Sequence, residues 1–139
     1  MKKTGIIMIL CLAIAGLTIS CQSEAQIEYI RYYTGGRELY KTHCQNCHGQ
    51  TGEGLSALMP PLTDTAYIRK NQHILPCYIK NGVSGLISVS GKFYDSTMPP
   101  ADLSPIEIAK VLTYVTNSFG NHNGLIDVKQ VEKDLKECK

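Results

Sequence analysis

Tryptophan is absent from this chain, and only two of its 139 residues are phenylalanine. A chain so poor in large apolar rings builds a modest core, and a bulky bound group would supply the missing apolar mass. No sign of charge dominates: 14 basic residues stand against 12 acidic ones. Without Lys2 and Lys3 the two counts are equal, so the remainder is formally neutral. Nucleic-acid binding wants a basic patch, and none appears. The longest apolar run, Ile6 to Ile19, is shorter than the ~20 residues that span a bilayer. Average composition and mild charge exclude a disordered chain.

That apolar run has another use. Lys2 and Lys3 precede it, and small residues follow it at Ser20 and Cys21. Residues 1–21 read as an export signal. Leu17-Thr18-Ile19-Ser20-Cys21 resembles a bacterial lipobox, in which the cysteine is lipidated and becomes the first mature residue. Thr18 departs from that pattern, which prefers Leu there. The alternative is cleavage after Ser23-Glu24-Ala25, a small-x-small site that releases a soluble protein. Either route leads to a compartment outside the cytoplasm, one in which disulfides persist.

The most specific stretch is Cys44-Gln45-Asn46-Cys47-His48. Cys-x-x-Cys-His is the pattern by which haem is attached through two thioethers. Two thiols on one helical turn can meet the two vinyl groups of a porphyrin, and the next residue aims an imidazole at the iron. A zinc site would need a second ligand pair at finger spacing, whereas Cys77 and Cys138 stand alone. A thioredoxin-like pair would sit in a βαβ context, whereas Gly49, Gly52 and Gly54 follow and no strand-like run precedes. A disulfide between residues three apart is strained. With haem and lipid cysteines assigned and Cys11 leaving with the signal, Cys77 and Cys138 remain, either as a disulfide or as two separate buried thiols.

Four segments organise the chain. After the signal, residues 22–34 read as a polar tether bearing Tyr29, Tyr32 and Tyr33. A domain follows over 35–120, and 121–139 form a C-terminal extension. Within the domain a first helix is expected from about Gly35 to Cys44, with Gly36 admitting a close neighbour. Gly49 to Leu62 is a glycine- and proline-rich loop. Residues 63–82 read as one or two short helices, capped by Thr63 or Asp64 and interrupted at Pro76. Val83 to Asp102 read as a loop. Ser104-Pro105-Ile106-Glu107 opens the best-defined helix with a capping box, and its apolar stripe runs to about Phe119. Val128, Val131 and Leu135 suggest a short terminal helix.

The order Gly36, Tyr40, Cys44-x-x-Cys47-His48-Gly49, Pro60-Pro61-Leu62, Asn81-Gly82, Met98-Pro99-Pro100, Leu103-Ser104 and Leu112-Thr113-Tyr114-Val115 resembles class I cytochrome c of the bacterial monohaem kind. The resemblance covers about residues 35–120. It implies an all-α fold of three to five short helices wrapped round one covalent haem c, with the first and last helices crossing near Gly36, Tyr40 and Tyr114. Cys44 and Cys47 then hold the haem, and His48 and Met98 are the axial ligands of its iron. Pro60 or Pro61 offers a backbone carbonyl to the other nitrogen of His48. Tyr94, in the loop before Met98, counts among the haem-binding residues. Met59, His73 and His122 are the rival ligands, and His43 is expected to point away.

With both axial positions filled, the iron exchanges electrons and has no open site for substrate. The resemblance therefore implies a periplasmic one-electron carrier, not an enzyme. Its partners are redox proteins: a dehydrogenase or quinol-oxidising complex as donor, a terminal oxidase or reductase as acceptor. Its membrane contact is the lipid at Cys21. Two alternatives stand beside it. One is a haem subunit docked to a larger dehydrogenase. The other is a sensor or peroxidase with an open iron, although residues 83–102 supply no His or Arg for peroxide chemistry.

Overall fold

The computed structural model of the protein describes residues 23–138, with Gly5 besides. The export signal and the lipidation position Cys21 lie outside the described residues. Helix α1 spans Glu24–His43. Ser23 caps it, its hydroxyl accepting from the Gln26 amide at 3.3 Å. The stretch expected to be a tether is therefore the first half of this helix, which starts well before Gly35. Its buried residues Tyr32, Gly36 and Tyr40 recur every four positions. They form a helical stripe, but one built from tyrosine and glycine, so aliphatic periodicity hides it.

Helix α1 crosses the helix Pro105–Val115 (labelled α5 below, in chain order). Gly36 sits at the crossing, where a Cβ would overlap the Lys110 backbone carbonyl. Tyr40 and Tyr114 pack beside it with ring centroids 5.4 Å apart. Tyr33 continues the stack against Tyr114 at 5.2 Å. Such tilted pairs add about 0.5–1.5 kcal/mol each beyond their burial.

Between the crossing helices lie three short ones. They are α2 Gln45–His48, α3 Thr65–Lys70 and α4 Leu75–Asn81. Asp64 caps α3, accepting from the Tyr67 amide at 3.0 Å. Pro76 stands in the first turn of α4, where a missing N–H costs nothing. The expected loop 83–102 contains a hairpin, β1 Ile87–Val89 against β2 Lys92–Tyr94. Ser90 and Gly91 both have positive φ (52° and 74°), the primed turn that suits two-residue hairpins.

Helix α5 carries the expected capping box, with the Glu107 carboxylate accepting from the Ser104 amide at 2.9 Å. Its stripe Ile108, Val111, Leu112 and Val115 is buried. It ends at Val115 rather than near Phe119. Asn117 takes the Thr113 carbonyl with its side chain at 2.8 Å, and Phe119 is left-handed. A final helix, α6 Val128–Lys136, docks through the fully buried Val131. Cys138 beyond it is disulfide-bonded to Cys77 of α4, Cα–Cα 5.6 Å. His73 and the buried Asp134 add a contact at 3.2 Å between the same regions. Among the described residues no helix is long and apolar enough to cross a membrane.

Candidate functional site

Helix α1 stops at His43 because Cys44 leaves helical geometry, and the single turn of α2 follows. That turn delivers Cys44, Cys47 and His48 to one cavity of about 410 Å³. Neither cysteine is in a disulfide. Burial, helped by the neighbouring Cys47, pushes the Cys44 thiol up to about 11.

His48 is anchored from the loop 49–62. Its Nδ1 lies 3.2 Å from the carbonyl oxygen of Pro60. A carbonyl only accepts, so Nδ1 carries the proton and Nε2 keeps its lone pair. Burial pushes the imidazole below its ordinary value and the Pro60 carbonyl acts against this. The ring therefore favours the neutral form that a metal requires. Pro60, rather than Pro61, supplies the carbonyl, and both line the cavity. Tyr40, 1% exposed, donates its hydroxyl to the Gly49 carbonyl at 2.6 Å. It thereby ties the loop's first residue to α1.

Met98 lines the same cavity. Its backbone is paired with Val83 in both directions at 2.9 Å. Gly82 ends α4 with φ 76° and lies so close to the Met98 carbonyl that no side chain fits there. Tyr94 is buried and lines the cavity, set in register opposite Ile87. Met59 lines the cavity as well. So does His43, contrary to the expectation that it points away. It is the last residue of α1, beside the kink at Cys44. His73 is engaged with Asp134 and His122 is exposed, and neither lines the cavity.

Tyr67 and Tyr78 line the cavity too, although their spacing in the sequence marks them only as part of an apolar helix face. Burial chiefly, with the neighbouring Tyr78 adding to it, raises Tyr67 to about 12. The available cue is two phenols on the short helices flanking Pro76. Among the described residues no cluster of three or more His, Cys, Asp or Glu forms a separate metal site.

Two free thiols, an imidazole with its outer nitrogen tied and an apolar wall fit a covalently attached porphyrin. The volume lies within the range of small-molecule sites, about 300–1,000 Å³. Crossed helices around such a cavity, entered by a Cys-x-x-Cys-His turn, define the c-type cytochrome class. The family model described as cytochrome c matches residues 33–118, and the chain belongs to that family. Two proteins called cytochrome c-552, both from Thermus thermophilus, are each 30% identical to it over 91 residues. Those alignments cover 62% of this chain and 69% and 61% of the two relatives. The chain is accordingly a haem-based electron carrier of class I, and its cofactor is covalently attached haem c with its iron.

Proposed function

We propose that this protein is a monohaem one-electron carrier with His/Met ligation, exported and tethered to a membrane through Cys21. Cys44 and Cys47 hold the haem by thioethers. His48 is the proximal ligand and Met98 the distal one, with Tyr94 and the Pro60-Pro61 segment against the haem. Bound haem c supplies reversible one-electron exchange at its iron. The residues of the chain do the rest. Pro60 fixes the tautomer of His48, the Val83 pairing fixes the Met98 backbone, and the apolar wall keeps the local dielectric low. The observation that carries this reading is the His48–Pro60 contact in a cavity that Met98 also lines.

Two features of the chain support the cellular reading. The first 21 residues have the charge and apolar order of an export signal. Processing at Cys21 preserves Ser23, the cap of α1, whereas cleavage after Ala25 removes it. Donors and acceptors are other redox proteins, a dehydrogenase or quinol-oxidising complex on one side and an oxidase or reductase on the other.

Optical spectra of the purified holoprotein, oxidised and reduced, with and without carbon monoxide, test the ligation. The expected result is a low-spin c-type spectrum with a weak far-red band and no carbon monoxide binding by the untreated ferrous form. Met98→Ala should abolish the far-red band and admit carbon monoxide. Met59 also lines the cavity, which gives a second reading of the sixth ligand. A band that survives Met98→Ala and disappears in Met59→Ala would establish it.

A further inference from the structure

The turn after α5 reaches back to the loop that holds Pro60. Phe119 is left-handed, with φ 59°, a conformation that a bulky residue adopts only when its surroundings impose it. Its ring rests on Gly52, where a Cβ would come within 2.6 Å of it. Asn121 is 1% exposed. Its Nδ2 donates to the Leu62 carbonyl at 2.9 Å and to the Val115 carbonyl at 3.1 Å. Gly52 and Leu62 are themselves joined, the Leu62 amide donating to the Gly52 carbonyl at 2.8 Å. The turn therefore grips both sides of the loop's base, and Pro60 lies two residues before one of those grips. The Asn121 Oδ1 is buried without a partner, a costly arrangement. Both of the amide's donors are used. Phe119 and Asn121 both lie beyond residue 118, where the family match ends.

We infer that Asn121 is a positioning residue for the proximal imidazole. By fixing Leu62 it holds the Pro60 carbonyl against His48 Nδ1. The inference rests on the assignment of His48 as the iron's ligand. An acceptor on the outer nitrogen raises the basicity of a ligating imidazole, and a more basic ligand favours ferric iron. Loosening the grip of Asn121 therefore raises the reduction potential.

The test is redox titration of the full-length holoprotein carrying Asn121→Leu. The spectrum should stay low-spin. The ferric–ferrous equilibrium should move toward ferrous; a shift of about tenfold would be about 59 mV for one electron. Exchange of the His48 ring N–H should speed up alongside. Asn117→Ala is the control. Asn117 braces the same turn through the Thr113 and Gly124 carbonyls at 2.8 and 2.6 Å, without bonding to the proximal loop. It should lower stability and leave the potential in place. Equal shifts in the two variants, or no shift in Asn121→Leu, overturn the inference. If Asn121→Leu does not fold, Asn121→Ala removes both donors without adding bulk, and an unmoved potential there overturns it equally. His48→Ala separates the premise: a low-spin spectrum retained in that variant removes the ligand assignment itself.

Discussion

The loop 49–62 and the segment 83–102 face the same cavity, and they are held by different means. The loop 49–62 has backbone bonds of its own, Leu62 to Gly52 among them, but it is tied to the rest of the fold by side chains sent from elsewhere: Tyr40 on Gly49, Phe119 on Gly52 and Asn121 on Leu62. The segment 83–102 is held chiefly by its own backbone, through the β1–β2 ladder and the Val83–Met98 pairing, with one side-chain tie from Ser90 to Asp64. Backbone pairing survives changes of side chain, whereas side-chain anchors are lost one mutation at a time. The expectation is a distal side tolerant of substitution and a proximal side sensitive to it.

The largest effect should come from the link behind the distal wall. Replacing Cys77 and Cys138 together by Ser frees α6 from α4 and should cost about 4 kcal/mol in the chain-entropy model. Denaturant unfolding under non-reducing conditions measures it, and a loss confined to stability, with the potential unchanged, keeps the distal side independent of that link. Next come the two glycines packed under the loops that face the cavity. A Cβ at Gly54 would overlap the Met59 carbonyl and one at Gly82 the Met98 carbonyl, both from positive φ. Either Ala substitution should cost about 3 kcal/mol from left-handed strain plus overpacking. Gly82→Ala should also weaken the far-red band, and Gly54→Ala should leave it in place; the reverse pattern would break the comparison.

Tyr40→Phe removes one proximal anchor and should cost about 1 kcal/mol, read from the thermal midpoint. The smallest effect concerns the hairpin tip. Asp64 accepts from Ser90 and from the Tyr67 amide, and these bonds, Ser90 first, hold its carboxyl below the ordinary 3.8. A folded pKa below the unfolded one stabilises above that ordinary value and is lost as pH falls through the folded pKa. Acid unfolding below about pH 4 should therefore flatten in Asp64→Asn, at a neutral-pH cost of roughly 0.5 kcal/mol or less.

Much of this arrangement is legible in the chain. The haem motif, the capping box at Ser104 and the restart at Pro76 rest on local chemistry, which sequence carries directly. Counting cysteines leaves Cys77 and Cys138 as a possible pair, and the fold joins them. The start of α1 is harder to read because Gly35-Gly36 looks like a boundary. Ser23 followed by Gln26 is the cap signal that points further back. The hairpin lies in Ser90-Gly91 between two short β-branched and aromatic runs. The choice between Pro60 and Pro61 needs three-dimensional register. The Asn121 anchor has no local cue, because it depends on Phe119 turning the chain back across more than fifty residues.

The bond between Cys77 and Cys138 also makes residues 77–138 a covalent ring. Met98, Phe119 and Asn121 are inside it, while His48 and the loop it leans on are outside. A protease cut anywhere within the ring leaves the pieces joined until a reductant is added. A cut in the proximal loop separates at once from everything downstream unless the haem and the packing hold it. Limited digestion read with and without reductant therefore maps the two sides of the cavity as two different products.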